Sequence, residues 1–406
     1  MTDAALGRSV RDATGPATAA PLEPIPPGAT IGFLGGGQLG RMAAMAARTL
    51  GYDVAVLDPD KDCPAGVIAS RTVTAPWADA EAAAALARGC AAVTLEIEQI
   101  PRPALEAAAA EAPLYPRVEA VYVIQQRARQ KEWLAGAGFP LGAFRTVQHA
   151  TTAADAVAAL GPSIVKSAMG GYDGRGQVRV KTPAEGGAAF TALGAPVCVV
   201  EAFLDIAFEI SVLVARRADG VAVAYPASRN VHTDGVLTWA VTPAQIPAAL
   251  ETRAQALARD IATALDVTGL LAVEMFVLAD GSLLVNELAP RPHNTYHHSE
   301  RAHPTSQFEQ LVRAICHLPL GSVEVVRPAA IHNLLGDLWT DGEPDFAAAL
   351  AVPGVRVHLY GKRSARPGRK MGHLSADGAT ADQALERVRA AYAALARSPA
   401  VNVADP

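Results

Sequence analysis

Between residues 30 and 138, short apolar runs alternate with longer segments in which charges recur at helical spacing. Short apolar runs, such as TIGFL at 30–34 and YDVAVLD at 52–58, are bounded by glycine or polar residues and predict buried strands. Between them lie alanine-rich segments with charges at helical spacing, of which residues 38–50 are the clearest. Strands that alternate with helices in this way predict an α/β fold with a parallel sheet.

A second unit begins near Phe139, where strands and helices follow each other at closer spacing. The apolar runs predict strands at 163–166, 177–180, 196–201, 210–214, 221–225, 270–278 and 282–285. Helical periodicity predicts helices at 117–138, 151–160, 247–266, 305–317 and 381–397. A proline-rich break near residue 328 then separates a last, smaller subdomain.

A hairpin with unusual charges is predicted at residues 270–285. Its two apolar runs are separated by an Asp-Gly pair, which is typical of a tight turn. Glu274 interrupts the first strand, and Asn286 and Glu287 follow the second, so the turn can bring the two carboxylates side by side. Adjacent carboxylates repel unless a cation is near, and oxygen ligands select a hard ion such as Mg²⁺. Arg291 could hold an anion beyond that ion, although a solvated hairpin is the ordinary alternative.

A glycine turn follows the first predicted strand. Residues 35–40, GGGQLG, contain GxGxxG between a strand and a helix, and the next strand ends at Asp58. This pattern is typical of a dinucleotide-binding turn, in which the glycines let a phosphate approach the helix N-terminus. It fits an NAD enzyme, and it fits equally the phosphate of a mononucleotide substrate. Glu96 and Glu98 end a further strand of the same unit, where ligands of open α/β sheets collect.

Lysine and glycine residues favour a phosphate site in the second unit. Lys166 ends a buried strand, where an amine is costly unless an anion pairs with it. The following loop, 170–176, holds four glycines in seven residues, and such a loop offers backbone N–H groups to phosphates and can close as a lid. The ending of a P-loop is absent. A flexible surface hairpin is the alternative, but it leaves Asp173 and Arg175 unexplained.

Two further segments carry candidate nucleotide contacts. Arg127 and Lys131 form a cationic pair at helical spacing, which lowers helix stability unless an anion is near. The strand that ends at residues 201–204 offers a carboxylate, a backbone amide and apolar side chains, which can bind an adenine and its ribose. Solvated side chains and a chain crossing between domains are the ordinary explanations for these two features.

The C-terminal third is rich in histidine and in clustered positive charge. The histidines that follow the hairpin are His293, His297, His298, His303 and His317. They suggest zinc, but their spacing fits no common zinc pattern. Five cationic residues crowd into nine positions of a predicted turn: Lys362, Arg363, Arg366, Arg369 and Lys370. This turn is either solvated or, since the chain is negative overall, a lid for an acidic small molecule.

Composition narrows the class of protein. The chain has 406 residues and half of them are apolar, so two or three domains with large cores are expected. The formal net charge is -5 and no basic patch is evident, which argues against nucleic acid as a partner. The four cysteines form no CxxC pair, which fits a reducing cytoplasm, and no apolar run reaches membrane-spanning length. Residues 1–29 predict a disordered tail without a secretory signal.

Taken together, the motifs resemble those of the ATP-grasp superfamily, in which a strand lysine, a glycine lid, E-x-x-L and an acidic hairpin occur in this order. More narrowly, LGGGQLGRM, IVKSAMGGYDGRGQ, NELAPRPHN, TSQFEQ and RPGRKMGH resemble the N5-carboxyaminoimidazole ribonucleotide synthetase family of purine biosynthesis. The resemblance implies a Rossmann-like pre-ATP-grasp domain (30–138), ATP-grasp lid (139–204) and core (205–328) domains of α+β character, and a small C-terminal subdomain (329–406).

This resemblance also implies a reaction. The family uses ATP, Mg²⁺ and bicarbonate to carboxylate 5-aminoimidazole ribonucleotide, releases ADP and phosphate, and is commonly a homodimer. We therefore expect these cofactors and small-molecule substrates, a homodimer, and a cytoplasmic location. A closing lid would keep water from carboxyphosphate, the activated intermediate.

The resemblance further implies roles for individual residues. ATP contacts are expected at Arg127, Lys166, Gly171, Tyr172, Asp173, Gly174, Arg175, Gly176, Gln177, Glu201, Ala202, Phe203, Leu204, Glu209, His232, Asn286 and Glu287. Mg²⁺ ligands are expected at Glu274 and Glu287. Substrate contacts are expected at Gly37, Gln38, Leu39, Lys362, Arg369 and Lys370. The catalytic group is expected to comprise Tyr172, Asp173, Arg175, Arg291 and His293. Asp173 is the first candidate to accept the amine proton, and His293 is the second.

One departure from the family pattern leaves rival interpretations open. Such families usually continue PHN with Ser-Gly-His, whereas this chain has Thr295-Tyr296-His297-His298, and a tyrosine there would fill space next to His293. The rivals are another ATP-grasp ligase, such as formate-dependent glycinamide ribonucleotide transformylase, and a non-catalytic nucleotide-binding module. An NAD(P) oxidoreductase is a third, but it leaves the lid and the paired acids unexplained.

Overall fold

The computed structural model describes residues 22–170 and 176–396, and three β-sheets organise them. The strands of the first sheet are β1 (Thr30–Leu34), β2 (Asp53–Asp58), β3 (Arg71–Thr74), β4 (Ala92–Leu95) and β5 (Leu114–Tyr115). The helices of this part are α1 (Gln38–Thr49), α2 (Ala80–Ala87), α3 (Arg102–Glu111), α4 (Val118–Ile124) and α5 (Arg127–Gly136). All pairings are parallel in the order β3-β2-β1-β4-β5, which confirms the predicted α/β arrangement.

The single helix predicted over 117–138 is wrong, because the chain breaks it into α4 and α5. Gln126 has an extended backbone, and α5 begins at Arg127, whose N–H donates to the carbonyl of Ala168 at 2.9 Å. Gln125 directs its side-chain amide to two carbonyls of a neighbouring loop. Tertiary hydrogen bonds therefore replace those of a continuous helix, and periodicity along the sequence cannot reveal them.

The chain is bound to the fold before β1, within the segment predicted to be a tail. The N–H of Ile25 donates to the carbonyl of Cys316 at 3.0 Å, and the Tyr52 hydroxyl donates to the carbonyl of Ile25 at 2.6 Å. Ile25 also packs against the apolar core. A proline-rich segment without apolar periodicity can thus supply one anchoring side chain, whereas residues 1–21 lie outside the described part of the chain.

The second sheet lies in the part that we assign to the lid domain. Its elements are β6 (Phe144–Val147), α6 (Ala150–Leu160), β7 (Ser163–Ser167), β8 (Gln177–Val180), α7 (Pro183–Leu193) and β9 (Cys198–Ala202). The four strands are antiparallel in the order β6-β9-β7-β8. Helix α7 begins where Thr182 accepts a hydrogen bond from the N–H of Glu185, and Pro183 occupies its first turn.

The third sheet has nine strands. They are β10 (Ile206–Arg216), β11 (Ala222–Ala224), β12 (Ser228–Thr233), β13 (Val236–Thr242), β14 (Gly269–Leu278), β15 (Leu283–Ala289), β16 (Ala329–Leu335), β17 (Val355–Leu359) and β18 (Lys370–Asp377). The helices are α8 (Ala248–Ala264), α9 (Ser299–Ala302), α10 (Gln307–Ile315), α11 (Phe346–Leu350) and α12 (Ala381–Ala394), with 3-10 turns at Asn294–Tyr296 and Gly336–Trp339. The strand order is β15-β14-β10-β12-β13-β16-β18-β17, and β11 pairs with β10.

The C-terminal strands are continuous with the core sheet. β13 pairs with β16 from Trp239 opposite His332 to Thr242 opposite Ala329, so backbone hydrogen bonds cross the proposed boundary at residue 328. Helix α12 then covers this end of the sheet, where Val388 packs in a separate buried cluster. The C-terminal subdomain is therefore attached through main-chain pairing as well as through side chains.

One apolar core joins the first sheet to the third. Phe33 of β1 and Met42 of α1 belong to the same buried cluster as Leu270 of β14 and Phe308 of α10. Burial of this shared surface fixes the first domain against the core, since apolar contact is the dominant favourable term in packing. Within the described ranges, the helices do not combine the length and apolar character that crossing a membrane requires.

Packing of α6 against α7 generates a stability prediction. A Cβ at Gly186 would lie 2.6 Å from Val157 Cγ2 and 3.1 Å from the carbonyl oxygen of Ala153, so the two helices approach at this glycine. Gly186→Ala should therefore lower the free energy of unfolding by about 1–3 kcal/mol, the usual range for overpacking. Urea-induced unfolding followed by circular dichroism measures this change.

Gly136→Ala is the matched control, because a Cβ at Gly136 in α5 meets no atom within 4 Å. This variant should be unchanged or more stable by about 0.5 kcal/mol, owing to helix propensity. Equal destabilisation of both variants would show that the close approach of α6 and α7 does not set the cost.

Candidate active site

A β-bulge places two carboxylates directly opposite each other. β14 and β15 pair Met275 with Val285, and a regular ladder would then set Glu274 opposite Asn286. The register instead shifts at this point, so that Glu274 pairs with Glu287 and Asn286 is the extra residue. The amide of Asn286 donates to Glu274 Oε2 at 3.4 Å. The side-by-side placement of the two predicted metal ligands therefore depends on one inserted residue.

The electrostatics of this pair fit a bound cation. Burial raises the pKa of Glu274 to about 7, and the charges of Glu287 and Glu209 act in the same direction, while His232 opposes them. The side chain of Glu274 is only 15% exposed, so water offsets little of this repulsion. A hard divalent ion prefers carboxylate and amide oxygens, and Asn286 provides such an oxygen beside the two acids. The donor set thus suits Mg²⁺.

Neighbouring strands extend the charged group. In the spatial order β15, β14, β10 and β12, these strands carry Glu287, Glu274, Glu209 and His232. His232 Nδ1 lies 2.8 Å from Glu209 Oε2. Burial acts to lower the pKa of His232, but the hydrogen bond to Glu209 and the charge of Glu274 outweigh it and raise that pKa. The hydrogen bond to Glu209 and the charge of Glu274 thus favour the protonated form of His232.

His293 lies on the other side of Glu274. Its Nε2 is 3.7 Å from Glu274 Oε1, and its Nδ1 is 2.9 Å from the hydroxyl of Thr295. Burial, together with the charges of Arg291 and Lys370, lowers the pKa of His293 well below the usual value. The imidazole is therefore neutral in this environment.

Arg291 connects the hairpin to the first sheet. Its guanidinium forms a two-pronged ion pair with Glu98, with Nη2 3.0 Å from Oε1. The charge of Arg291 also acts to lower the pKa of Glu96, and the charge of Glu287 acts to raise the pKa of Arg291. In this structure Arg291 is thus paired with a side chain of the N-terminal domain, whereas the sequence predicts an anion beyond the metal ion.

The glycine turn is partly filled by protein groups. Gly37 caps α1, which starts with Gln38 and Leu39, and a Cβ at Gly37 would lie 2.5 Å from Glu96 Oε1. Glu96 accepts a hydrogen bond from the N–H of Gly40 at 3.1 Å. A carboxylate therefore lies where the sequence predicts a phosphate.

The acid that completes the dinucleotide-binding pattern, Asp58, is also hydrogen bonded to the protein itself. Asp58 accepts hydrogen bonds from the N–H groups of Gly36 and Asp60, both at 2.8 Å. Asp58 is buried, and burial raises its pKa. A ribose would have to displace these backbone contacts, so the geometry does not favour the NAD interpretation.

A buried cationic pair surrounds Glu201 in the lid sheet. Lys166 Nζ lies 2.9 Å from Glu201 Oε2, and Lys131 Nζ lies 3.4 Å from Glu201 Oε1. Burial favours the neutral acid, but the two lysines outweigh it and hold the pKa of Glu201 below its usual value. Arg127 lies between this group and the hairpin, with Nη1 3.8 Å from Glu287 Oε2. Lysine and acid thus account for each other's burial.

The other predicted nucleotide contacts lie at the ends of β7, β8 and β9. Gln177 pairs with Lys166, and the carbonyl of Gly176 accepts from the N–H of Ser167 at 2.8 Å. The N–H groups of Ala202 and Phe203 donate to the carbonyls of Ala143 and Pro162, and Leu204 lies against Gly142. The remaining predicted contacts lie outside the described residues: Gly171, Tyr172, Asp173, Gly174 and Arg175.

The cationic residues of the basic turn have different partners: some act on the site, and others bond within the turn. The charge of Lys370, at the start of β18, acts on both Glu274 and His293. Lys362 Nζ donates to the carbonyl of Lys370 at 2.8 Å. Arg369 instead donates to the carbonyl of Ser364 at 2.8 Å within the turn. The structure thus brings Lys370 towards the acids, and Lys362 is hydrogen bonded to the backbone of Lys370.

The histidine cluster does not form a zinc site. Among the described residues, the one group with ligand atoms in mutual reach is Glu300, His358 and His373, whose candidate atoms lie within 4.8 Å of one another. The rings of His358 and His373 are stacked, with centroids 4.4 Å apart and planes at 9°. Lone pairs of parallel rings do not converge on one point, as tetrahedral zinc requires.

The departing tyrosine does not occupy the space beside His293, and that expectation is wrong. Tyr296 is completely buried in the core cluster that contains Phe308. Its hydroxyl donates to the carbonyls of Ser211 and Pro226 at 2.8 and 3.0 Å. A 3-10 turn at this point directs the ring into the core, so the sequence departure gives no reason to expect a non-catalytic module.

Lys131 is named in the sequence analysis only as a partner of Arg127 and is absent from the expected ATP contacts, but the structure places it beside Glu201. It is 2% exposed and faces Glu201, yet the sequence shows only a cationic pair on a helix. The cost of that pair to an isolated helix was the available signal. Its acidic partner lies far away along the chain, and only the tertiary structure identifies it.

Three family models match successive parts of the chain. They are the ribonucleotide synthetase preATP-grasp domain (28–125), the ATP-grasp domain (132–308) and the phosphoribosylaminoimidazole carboxylase C-terminal domain (329–387). The chain is 38% identical to the N5-carboxyaminoimidazole ribonucleotide synthase of Bacillus subtilis over 354 residues. This alignment covers 86% of this chain and 92% of the relative. This chain belongs to the N5-carboxyaminoimidazole ribonucleotide synthase family.

Solved structures of N5-carboxyaminoimidazole ribonucleotide synthase relatives share the fold. The Staphylococcus aureus synthetase complexed with ADP matches with a TM-score of 0.85 at 33% identity, over 92% of this chain and 100% of that one. The Aspergillus clavatus synthase in complex with ADP and 5-aminoimidazole ribonucleotide matches with a TM-score of 0.83 at 34% identity, over 91% and 98%. The predicted family and domain types are thus confirmed, and the chain is an ATP-grasp ligase.

The raised pKa of Glu274 predicts a pH-dependent stability. A buried acid of this kind binds its proton more tightly in the folded state, so wild type loses stability as the pH rises from 4.5 towards about 7. Glu274→Gln cannot ionise. Without metal, it should match wild type near about pH 5 and exceed it near about pH 8 by on the order of 2 kcal/mol.

Urea unfolding in the presence of a chelator at both pH values measures this difference. Glu386→Gln, an exposed acid on α12, is the matched control and should track wild type throughout. If Glu274→Gln stayed parallel to wild type across this pH range, Glu274 would not be the acid that binds a proton on folding.

Proposed function

We propose that this chain carboxylates 5-aminoimidazole ribonucleotide with ATP and bicarbonate to give N5-carboxyaminoimidazole ribonucleotide, ADP and phosphate in purine biosynthesis. One observation carries the proposal. Glu274 and Glu287 face each other in a chain that belongs to the synthase family, and their surroundings suit a cation that carries a nucleotide. The ligands named for the Aspergillus clavatus structure, ADP and 5-aminoimidazole ribonucleotide, support the same substrates.

The chemistry divides into two transfers. A bicarbonate oxygen attacks the γ-phosphorus of ATP, the bond to ADP breaks, and carboxyphosphate forms. The exocyclic amine of the ribonucleotide then attacks the carboxyl carbon, phosphate leaves, and a base accepts the amine proton. Mg²⁺ held by Glu274 and Glu287, with Asn286 beside them, would supply charge neutralisation for the phosphates.

The cationic residues of the chain have a direct task in this scheme. Arg127, at the start of α5, lies 3.8 Å from Glu287, and Lys166 lies in the lid sheet beside Glu201. They would bind phosphate oxygens, because positive charge preorganised around a transferring phosphoryl group lowers its barrier. Lys370 and Lys362 would bind anionic groups of the ribonucleotide from the opposite side. Glu201 keeps Lys166 in place through the ion pair at 2.9 Å.

The lid residues would complete the site. We assign Tyr172, Asp173 and Arg175 to the ribonucleotide and to the carboxylating intermediate, because they stand in the lid motif of the family. Asp173 would accept the amine proton. Carboxyphosphate decomposes in water, so a lid that covers the site protects it.

Assembly and location are part of the same proposal. The family resemblance supports a homodimer. The chain has free cysteines at positions 63, 90, 198 and 316, which supports a reducing compartment such as the cytoplasm.

Release of ADP tests the proposed reaction. ADP should form rapidly when ATP, Mg²⁺, 5-aminoimidazole ribonucleotide and bicarbonate are all present, and removal of Mg²⁺ with a chelator should stop it. Replacing the substrates by glycinamide ribonucleotide and formate should give no ADP. ADP release with formate and not with bicarbonate would assign the chain to the transformylase reaction instead.

Asp173→Asn should retain ATP binding and lose most carboxylation. Removing one catalytic base lowers the rate by on the order of 10²-fold or more, whereas asparagine keeps the size of the side chain. Nucleotide binding measured by calorimetry, together with ADP release, separates the two effects. Asp155→Asn, an exposed change on α6, is the control. Normal turnover by Asp173→Asn would remove Asp173 from the mechanism.

A further inference from the structure

A chain of buried hydrogen bonds ends at His293. It starts at His298 Nε2, which is 2.9 Å from Ser228 Oγ, and Ser228 Oγ is 3.2 Å from Asn230 Oδ1. Asn230 Nδ2 is 2.8 Å from Ser211 Oγ, which is 2.8 Å from Thr295 Oγ1. Thr295 Oγ1 is in turn 2.9 Å from His293 Nδ1. Two members, Thr295 and His298, belong to the segment in which the sequence departs from its family.

Burial restricts which group donates and which accepts in each hydrogen bond of this chain. The four polar residues between the histidines are at most 3% exposed, so each of their groups needs a partner inside the protein. His298 Nδ1 is buried and has no hydrogen-bond partner among the described residues. A buried N–H without an acceptor is rarer than a buried acceptor without a donor, so the proton belongs on His298 Nε2. His298 therefore donates to Ser228.

The remaining directions follow from the number of protons that each group carries. Ser228 accepts from His298, and its own proton can go to Asn230 Oδ1 or to the carbonyl of Thr295, both at 3.2 Å. In either case the amide nitrogen of Asn230 faces Ser211 and donates to it. Ser211 accepts this amide proton and donates its own to Thr295. Thr295 then has one proton left, and His293 Nδ1 lies within hydrogen-bond distance of it. From Asn230 onwards, every bond therefore points towards His293.

We propose that Thr295 is a positioning residue that holds His293 as the tautomer with its proton on Nε2. That nitrogen faces the acid hairpin, 3.7 Å from Glu274 Oε1. His293 then donates a hydrogen bond on the side where reactants bind and does not accept a proton there. This inference rests on the proposed function, within which it makes His293 a donor to an anionic carboxyl or phosphoryl oxygen and leaves Asp173 as the base.

Two substitutions separate the hydroxyl of Thr295 from its packing. Thr295→Val keeps the shape and removes the hydroxyl, whereas Thr295→Ser keeps the hydroxyl and removes the methyl group. Thr242→Val is the control, because Thr242 is equally buried and its hydroxyl donates to the carbonyl of Ala227. Nitrogen-15 NMR of histidine-labelled protein reports which ring nitrogen carries the proton, and the His293 signals are assigned by their loss in His293→Gln.

Wild type, Thr295→Ser and Thr242→Val should show the His293 proton on Nε2, and Thr295→Val should lose that preference. We expect Thr295→Val to lower kcat for ADP release about tenfold, the scale of one lost hydrogen bond, with KM for ATP unchanged. Thr295→Ser should stay within about twofold of wild type.

A wild-type His293 protonated on Nδ1 would overturn the proposal, and so would an equal loss of kcat in Thr295→Ser and Thr295→Val. The NMR measurement needs no substrate. If ADP release failed to depend on bicarbonate, the proposed function would fall, while the tautomer of His293 would still be decided.

Discussion

Repulsion between two carboxylates is the constraint around which this site is arranged. Glu274, which is largely buried, faces Glu287, which is nearly half exposed, and the bulge at Asn286 keeps them together. Regular pairing would have avoided the conflict by placing an amide opposite Glu274. Arg127 at the start of α5 and His232, whose pKa is raised by Glu209 and Glu274, partly offset this repulsion. A bound cation would offset the remaining repulsion between the two carboxylates.

Local chemistry makes much of this arrangement predictable from sequence. An Asp-Gly turn between apolar runs indicates a hairpin, and it places Glu274 near Glu287. A lysine at the end of a buried strand indicates a nearby anion, which the sequence analysis takes as a phosphate, and the structure shows the carboxylate of Glu201 beside it. The unpredicted features depend on contacts between distant segments, as in the break before Arg127 and the burial of Lys131. Pattern and propensity carry no information about which remote carbonyl or carboxylate will be present.

The glycine turn shows why a motif needs its surroundings. The strand, turn and helix are formed as the GxGxxG pattern predicts, and the acid at the end of β2 is present. Yet Asp58 accepts backbone hydrogen bonds of the same turn, and Glu96 lies over Gly37. The same backbone geometry can therefore serve different ligands. Side chains from β4, which the motif does not include, decide which groups can approach.

Continuity of the large sheet has a mechanical consequence. Because β13 and β16 are hydrogen bonded along four residue pairs, Lys370 and the acid hairpin belong to one continuous sheet. The lid sheet shares no strand with it among the described residues, and it carries Lys166 and Glu201. Opening and closing would then be a rotation of the lid alone. Lys370 would then keep a constant separation from the metal ligands throughout a catalytic cycle, whereas Lys166 and Glu201 would move with the lid sheet.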